Sequence, residues 1–209
     1  MSKEASLKHI RDQSPKKRGT IRERVLRILL NNPSGNLTKY RIAKEAEGTY
    51  PWVHDLLKEL EQDHLIEGTS VRNYKELISR WQWWRLEPET REYMLRKPLS
   101  VFGKLDLPYA LTTYQAENLV QNYLFPSRID FYIKRSDLAK WHDALRGEGL
   151  VGKGNTRALI TDEHVFYNAS ERGGFRIVSM PQLIMDLLAE GGVCAEAAEM
   201  LIEKESKGK

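Results

Sequence analysis

The sequence contains a single cysteine, Cys194, in 209 residues. A lone thiol excludes an internal disulfide and a cysteine-based zinc site, and it fits a reducing compartment, so the expected location is the cytoplasm. No run approaches the ~18 consecutive apolar residues that a membrane span needs, so no membrane association is expected. Residues 1–19 are charged and lack an apolar stretch, which argues against a secretory signal. The histidines (His9, His54, His64, His142 and His164) show no metal-ligand spacing, and no HExxH occurs. Gly152-Lys153-Gly154-Asn155 lacks the length and the Lys-Ser/Thr ending of a phosphate loop and reads as a turn. Asp130 and Asp137 lack the glycine-serine lead-in of a nucleotidyl-transfer site, and Ser136 is better explained as a helix cap than as a nucleophile. The expectation is therefore a chain with no catalytic residues, no metal and no cofactor.

What the sequence does have is an uneven distribution of charge. The net charge is +4, yet residues 1–80 hold 16 Lys/Arg against 11 Asp/Glu, while residues 81–209 hold 17 against 18. The first 44 residues alone hold 12 basic against 3 acidic side chains. Such a field attracts polyanions, and neutralising phosphates drives non-specific DNA binding. A solvated basic tail with no partner is the alternative that charge alone leaves open. One stretch runs the other way: residues 45–69 hold seven acids and one lysine.

Apolar periodicity organises the same region. Residues 1–18, with Ser14-Pro15-Lys16-Lys17-Arg18, read as a flexible basic arm. Thr20-Ile21-Arg22-Glu23 fits a capping box opening a helix, which Asn32-Pro33-Ser34-Gly35 stops. A short helix follows from Thr38 to Gly48. A third, with Thr49 as its cap, carries Val53, Leu56, Leu57 and Leu60 at i, i+3, i+4, i+7. Leu65 to Arg72 reads as two short strands around Gly68-Thr69-Ser70, and Asn73 opens a further helix to about Leu86. This order predicts a winged helix-turn-helix over residues 19–86. Its partner would be double-stranded DNA, met by Thr49, Tyr50, Trp52, His54 and Lys58 on the third helix, by Lys39, Arg41 and Lys44 on the second, and by Thr69, Ser70 and Arg72 on the hairpin. Trp52 can equally complete the core, and His54 can be an ordinary surface histidine. Trp81-Gln82-Trp83-Trp84 is expected to pack one face on this domain and to leave indoles for a domain or dimer interface.

Residues 87–107 carry the weakest pattern and read as a connector with one helical turn around Arg91 to Arg96. Residues 108–209 alternate helical and strand signals: a helix over Thr112 to Tyr123, a strand over Ile129 to Ile133 and a helix over Ser136 to Leu145. Short strands follow over Ala158 to Thr161, Val165 to Tyr167 and Phe175 to Val178, then helices from Ser179 and over Ala195 to Glu203. The whole is predicted as α+β, a winged helix-turn-helix joined to a mixed α+β domain.

Three stretches of this second half, taken in order, resemble the AbiEi-type antitoxin family of type IV toxin–antitoxin systems and its stand-alone archaeal relatives. They are Tyr109-Ala-Leu-Thr112 opening a helix, then Ile129-Asp-Phe-Tyr-Ile133 followed by Ser136-Asp-Leu-Ala-Lys-Trp141, then Val178-Ser-Met-Pro-Gln-Leu183 leading to Asp186-Leu-Leu188 and Glu196-Ala-Ala-Glu199. The resemblance spans roughly residues 19 to 203. It implies a winged helix that binds operator DNA and represses its own transcription, and a C-terminal domain for neutralising a nucleotidyltransferase-like toxin, for DNA binding or for forming multimers. A homodimer is expected separately, for a palindromic operator. The basic arm and the tryptophan-rich helix depart from the pattern. The sequence is thus read as a DNA-binding transcriptional regulator, with the antitoxin role as the alternative.

Overall fold

The computed structural model describes residues 15–207. They divide into two compact units that meet in sequence between Leu86 and Glu87.

The first unit opens with α1 (Pro15–Asn31). Proline lacks an N–H that the first turn does not need, so it begins the helix at no cost. This moves the start upstream of the expected capping box: Thr20 lies inside the helix, and residues 15–18 belong to it, while the rest of the expected arm, residues 1–14, lies outside the described residues. Val25, Leu26, Ile28, Leu29 and Leu30 are buried, and α1 packs on α2 (Lys39–Glu45), α3 (Tyr50–Gln62) and α4 (Tyr74–Trp84). The Thr38 hydroxyl caps α2 by accepting from Arg41 N at 3.1 Å, and Asn73 caps α4 by accepting from Glu76 N at 3.1 Å. Thr49 holds the cap position of α3 but makes no side-chain cap bond.

Between α3 and α4, β1 (Ile66–Glu67) and β2 (Ser70–Val71) form an antiparallel hairpin around Gly68, whose φ of 64° suits glycine. A third piece of chain joins it. Val71 N–H donates to Pro33 O at 2.8 Å, so the loop after α1 lies along the outer side of β2. Gly35 makes that approach possible: its φ is +76°, and a Cβ there would stand 2.9 Å from the Ser70 Cβ and backbone N.

The second unit is built on a seven-stranded mixed sheet, ordered β6-β3-β7-β5-β4-β9-β8. The strands are β3 (Glu89–Leu95), β4 (Tyr109–Thr112), β5 (Ile129–Ile133), β6 (Gly149–Val151), β7 (Thr156–Ile160), β8 (Ser170–Arg172) and β9 (Phe175–Ile177). β5 runs parallel to β7 and β4 to β9; the other neighbours are antiparallel. Every residue of β5 is buried, as expected of a strand covered on both faces. Alternation sends Phe131 to one side, where it meets Trp141 of α6 (Leu138–Glu148) and Phe102. Asp130 and Tyr132 point to the other side, toward α5 (Thr113–Gln121) and α7 (Met180–Glu190), with α8 (Val193–Lys207) packed on both of these helices.

Several expectations are corrected here. Residues 87–107 are no connector: β3 sits between β6 and β7, and a 3-10 turn spans Pro98–Val101. Arg91 to Leu95 is therefore extended, with Tyr93 and Leu95 buried and Met94 between them exposed on the other face, and the strand ends before Arg96. Tyr109–Thr112 is a strand, and the helix begins one residue later at Thr113. Val165 belongs to a 3-10 turn over Glu163–Phe166 rather than to a strand. Ser136 lies in a 3-10 turn over Arg135–Asp137, so it does not cap α6.

Candidate nucleic-acid interface

The side chains of α3 singled out from the sequence fall on three sides of its buried stripe. Val53, Leu56, Leu57 and Leu60 seal one face, which leaves Asp55, Lys58 and Gln62 exposed on the other. Tyr50 and His54 stand one turn apart on the flank that adjoins α2, with ring centroids 5.9 Å apart. Tyr40 of α2 extends this row, 6.3 Å from Tyr50 and still more exposed. The sequence reading passed over Tyr40, although it stands between two of the chosen cations, Lys39 and Arg41. Trp52 lies on the opposite flank of α3, half-buried at the edge of the stripe.

The turn between α2 and α3 is tight for a specific reason. A Cβ on Gly48 would come within 2.8 Å of Ile21 Cγ2 and Val53 Cγ2, so only glycine lets α1 and α3 close over it. Because Thr49 provides no side-chain cap, the first-turn N–H groups of α3 present their partial positive charge at the exposed end of the helix.

Charge on this surface is largely balanced. Lys39 Nζ lies 3.9 Å from Glu61 Oε2, Arg41 Nε lies 2.5 Å from Glu45 Oε1, and Arg72 pairs with Glu67 across the hairpin. Of the remaining acids of residues 45–69, Glu47 pairs with Arg24, and Glu59 and Asp63 with Arg80, while Asp55 lies 3.7 Å from the imidazole of its neighbour His54. Most of the acids of this stretch thus meet cations from α1, α2, α4 and the end of the hairpin. Lys44 and Lys58 are exposed and have no ion pair among the described residues.

The two hairpin hydroxyls are engaged internally. Thr69 Oγ1 donates to Leu37 O at 2.8 Å and Gly35 O at 3.1 Å, and Ser70 Oγ donates to Pro33 O at 3.3 Å. Their role is to hold the hairpin against the loop after α1. Glu61 ties the same hairpin to α3 by accepting from Gly68 N at 2.8 Å.

Behind this surface, Glu23 of α1 is buried and accepts from Leu86 N at 2.8 Å and from Trp81 Nε1 at 3.4 Å. Burial raises its carboxyl above the usual range, outweighing the attraction of Arg27 and the bond from Leu86. Trp84 lies under the Arg22 guanidinium at 4.2 Å, and Trp83 is 85% exposed.

The second unit contains a buried ionic cluster that no local motif announces. Asp130, fully buried, accepts two bonds from Arg128 (2.7 and 2.9 Å), two from Arg157 (3.1 and 3.0 Å) and one from Thr113 Oγ1 at 2.5 Å. Glu190 bridges the same two arginines at 2.7 and 2.8 Å. Burial works to raise the Glu190 carboxyl, but the two guanidinium bonds prevail and hold it below the ordinary range. The cluster fastens the starts of β5 and β7 to α5 and to the end of α7. Thr113 adopts φ 46°, a strained value for a β-branched residue, held by its bond to Asp130. Next to it, Asp186 accepts from Thr112 Oγ1 at 2.6 Å and Tyr132 OH at 2.8 Å. Cys194 is buried, and burial pushes its thiol up, away from the thiolate a nucleophile needs. Among the described residues no group of three His, Cys, Asp or Glu side chains is placed to hold a metal ion, and no helix is long and apolar enough to cross a membrane.

Against known protein families, curated proteins and solved structures, the chain finds no match.

Proposed function

We propose that this chain binds duplex DNA through a winged helix-turn-helix over residues 19–86 and acts as a transcriptional regulator. The observation that carries the reading is the placement of α3: one face is sealed on α2 and α1, the other is exposed, and a hairpin braced by the Pro33–Leu37 loop stands at its far end. A second helix inserted N-terminus first into the major groove, with a hairpin reaching the adjacent backbone, needs those parts in that order. Tyr50 and His54 then face base edges, Tyr40 extends the contact, and Lys44 and Lys58 neutralise phosphates. Because the other cations already hold acidic partners, the surface reads sequence more through aromatic and hydrogen-bonding contacts than through bulk charge. The resemblance to the AbiEi-type family supports the same DNA-binding half and adds repression of the chain's own promoter.

The test is selection of genomic fragments by the purified protein, followed by titration of the recovered sequence. Tyr50→Ala should weaken the selected site by about 1–3 kcal/mol while leaving non-specific binding unchanged. Lys58→Ala should weaken all sequences alike and flatten the salt dependence by about 0.9 in log–log slope. Failure to enrich any fragment, or full affinity in both variants, defeats the proposal.

A further inference from the structure

The two ends of the seven-stranded sheet are finished differently. At one end β8 presents Ser170, Glu171 and Arg172, polar side chains that discourage further pairing. At the other end β6 is Gly149-Leu150-Val151, with no charge in the strand, and Leu150 is 73% exposed. Its hydrogen-bonding phase follows from the register. Gly152 N–H donates to Glu92 O at 2.9 Å, Leu150 faces Met94 and Val151 faces Tyr93. Alternation in an antiparallel pair then turns the backbone of Leu150 inward to β3 and the N–H and C=O of Gly149 and Val151 outward. Met94, also exposed, stands opposite Leu150, and the pair lines an open hollow of about 790 Å³ that continues to Arg96, Lys97, Ser100 and Lys104. Lys104 is matched by Glu148 at 2.6 Å. Arg96, Lys97, Arg146 and Lys153 are exposed and hold no ion pair among the described residues.

We propose that the β6 edge is a docking site for an extended, acidic segment of a partner protein, which adds to the sheet as a further strand. The outward groups of Gly149 and Val151 supply main-chain bonds, Met94 and Leu150 receive an apolar side chain, and the four unmatched cations, three past the strand ends and Arg146 in the last turn of α6, select an acidic sequence. A nucleic acid would use the cations but would leave the open main chain and the apolar pair without partners. A second copy of this chain would bring the same cations face to face.

The proposal is tested on the full chain by fluorescence anisotropy with a labelled short peptide of alternating valine and glutamate. The controls are the valine–lysine counterpart, the acidic peptide N-methylated at alternate residues, and single-stranded DNA of matching length. The acidic peptide should bind, and the other peptides should bind at least about tenfold more weakly. Val151→Pro removes only an outward N–H and should lose the acidic peptide by a similar factor, as should Lys97→Glu. Equal binding of the N-methylated peptide, no binding of the acidic peptide, displacement by the single-stranded DNA, or full affinity in Lys97→Glu would each overturn the assignment. The wild-type peptide comparison decides the matter even if a variant fails to fold.

Discussion

At the scale of single residues, Glu23 and Glu190 respond to acid in opposite senses. Glu23 binds its proton more tightly in the folded chain than in the unfolded one, since its pKa is raised from 4.5. Its contribution to stability is therefore complete at low pH and is lost as pH climbs through the raised value. Glu190 is lowered from 4.5, so its contribution is present above that value and is lost as pH falls through the folded one. Calorimetry across this range should show a smaller stability increment in the first unit toward neutral pH and a larger one in the second. Glu23→Gln and Glu190→Gln should each flatten the dependence of their own unit only; identical pH profiles for variant and parent would refute the assignment. Asp130→Asn is expected to be the most damaging change in the second unit. It leaves two guanidiniums with a single carboxylate between them, and removing one member of a buried ionic group costs about 3–5 kcal/mol. Urea unfolding of the variant checks this.

At the scale of elements, the hairpin of the first unit is held by its neighbours more than by its own two pairs of residues. Gly35→Ala places a side chain against Ser70 in a backbone conformation that disfavours one. It should destabilise the first unit by about 1–3 kcal/mol, readable by chemical denaturation. This is also where reading from sequence stops. The stripe of α3 was legible because Val53 to Leu60 repeats within one helix. So was the hairpin, which Gly68 marks. The brace from Pro33 to Leu37 was not, because it joins residues more than thirty apart in sequence, and Thr69 and Ser70 consequently looked like free donors. β3 was illegible for another reason. Glu89, Arg91 and Glu92 mask a pattern in which only Tyr93 and Leu95 turn inward, so a central strand resembles a polar linker. The Arg128–Asp130–Arg157–Glu190 cluster draws on two strands and a helix end, and its parts meet only once the sheet has formed. On the candidate surface, Lys39, Arg41 and Arg72 stand out in the sequence by charge, yet their acidic partners lie on other turns and elements.

At the scale of the whole molecule, the boundary between the units has a direct consequence for dissection. A fragment of residues 87–209 retains β3 and should unfold cooperatively by itself. A fragment of residues 108–209, cut where the sequence pattern changes character, loses the strand between β6 and β7 and exposes the partners of Tyr93 and Leu95. It should remain without a sharp thermal transition in circular dichroism, and cooperative melting of that shorter piece would contradict the placement of β3.

The distribution of indoles provides a natural optical label. Four of the five tryptophans fall in the first unit, and Trp141 alone serves the second, where it is sealed among Phe102, Tyr109 and Phe131. Blue-shifted emission from that one ring, isolated by replacing the other four with phenylalanine, would follow the loosening of the second unit without interference from the first.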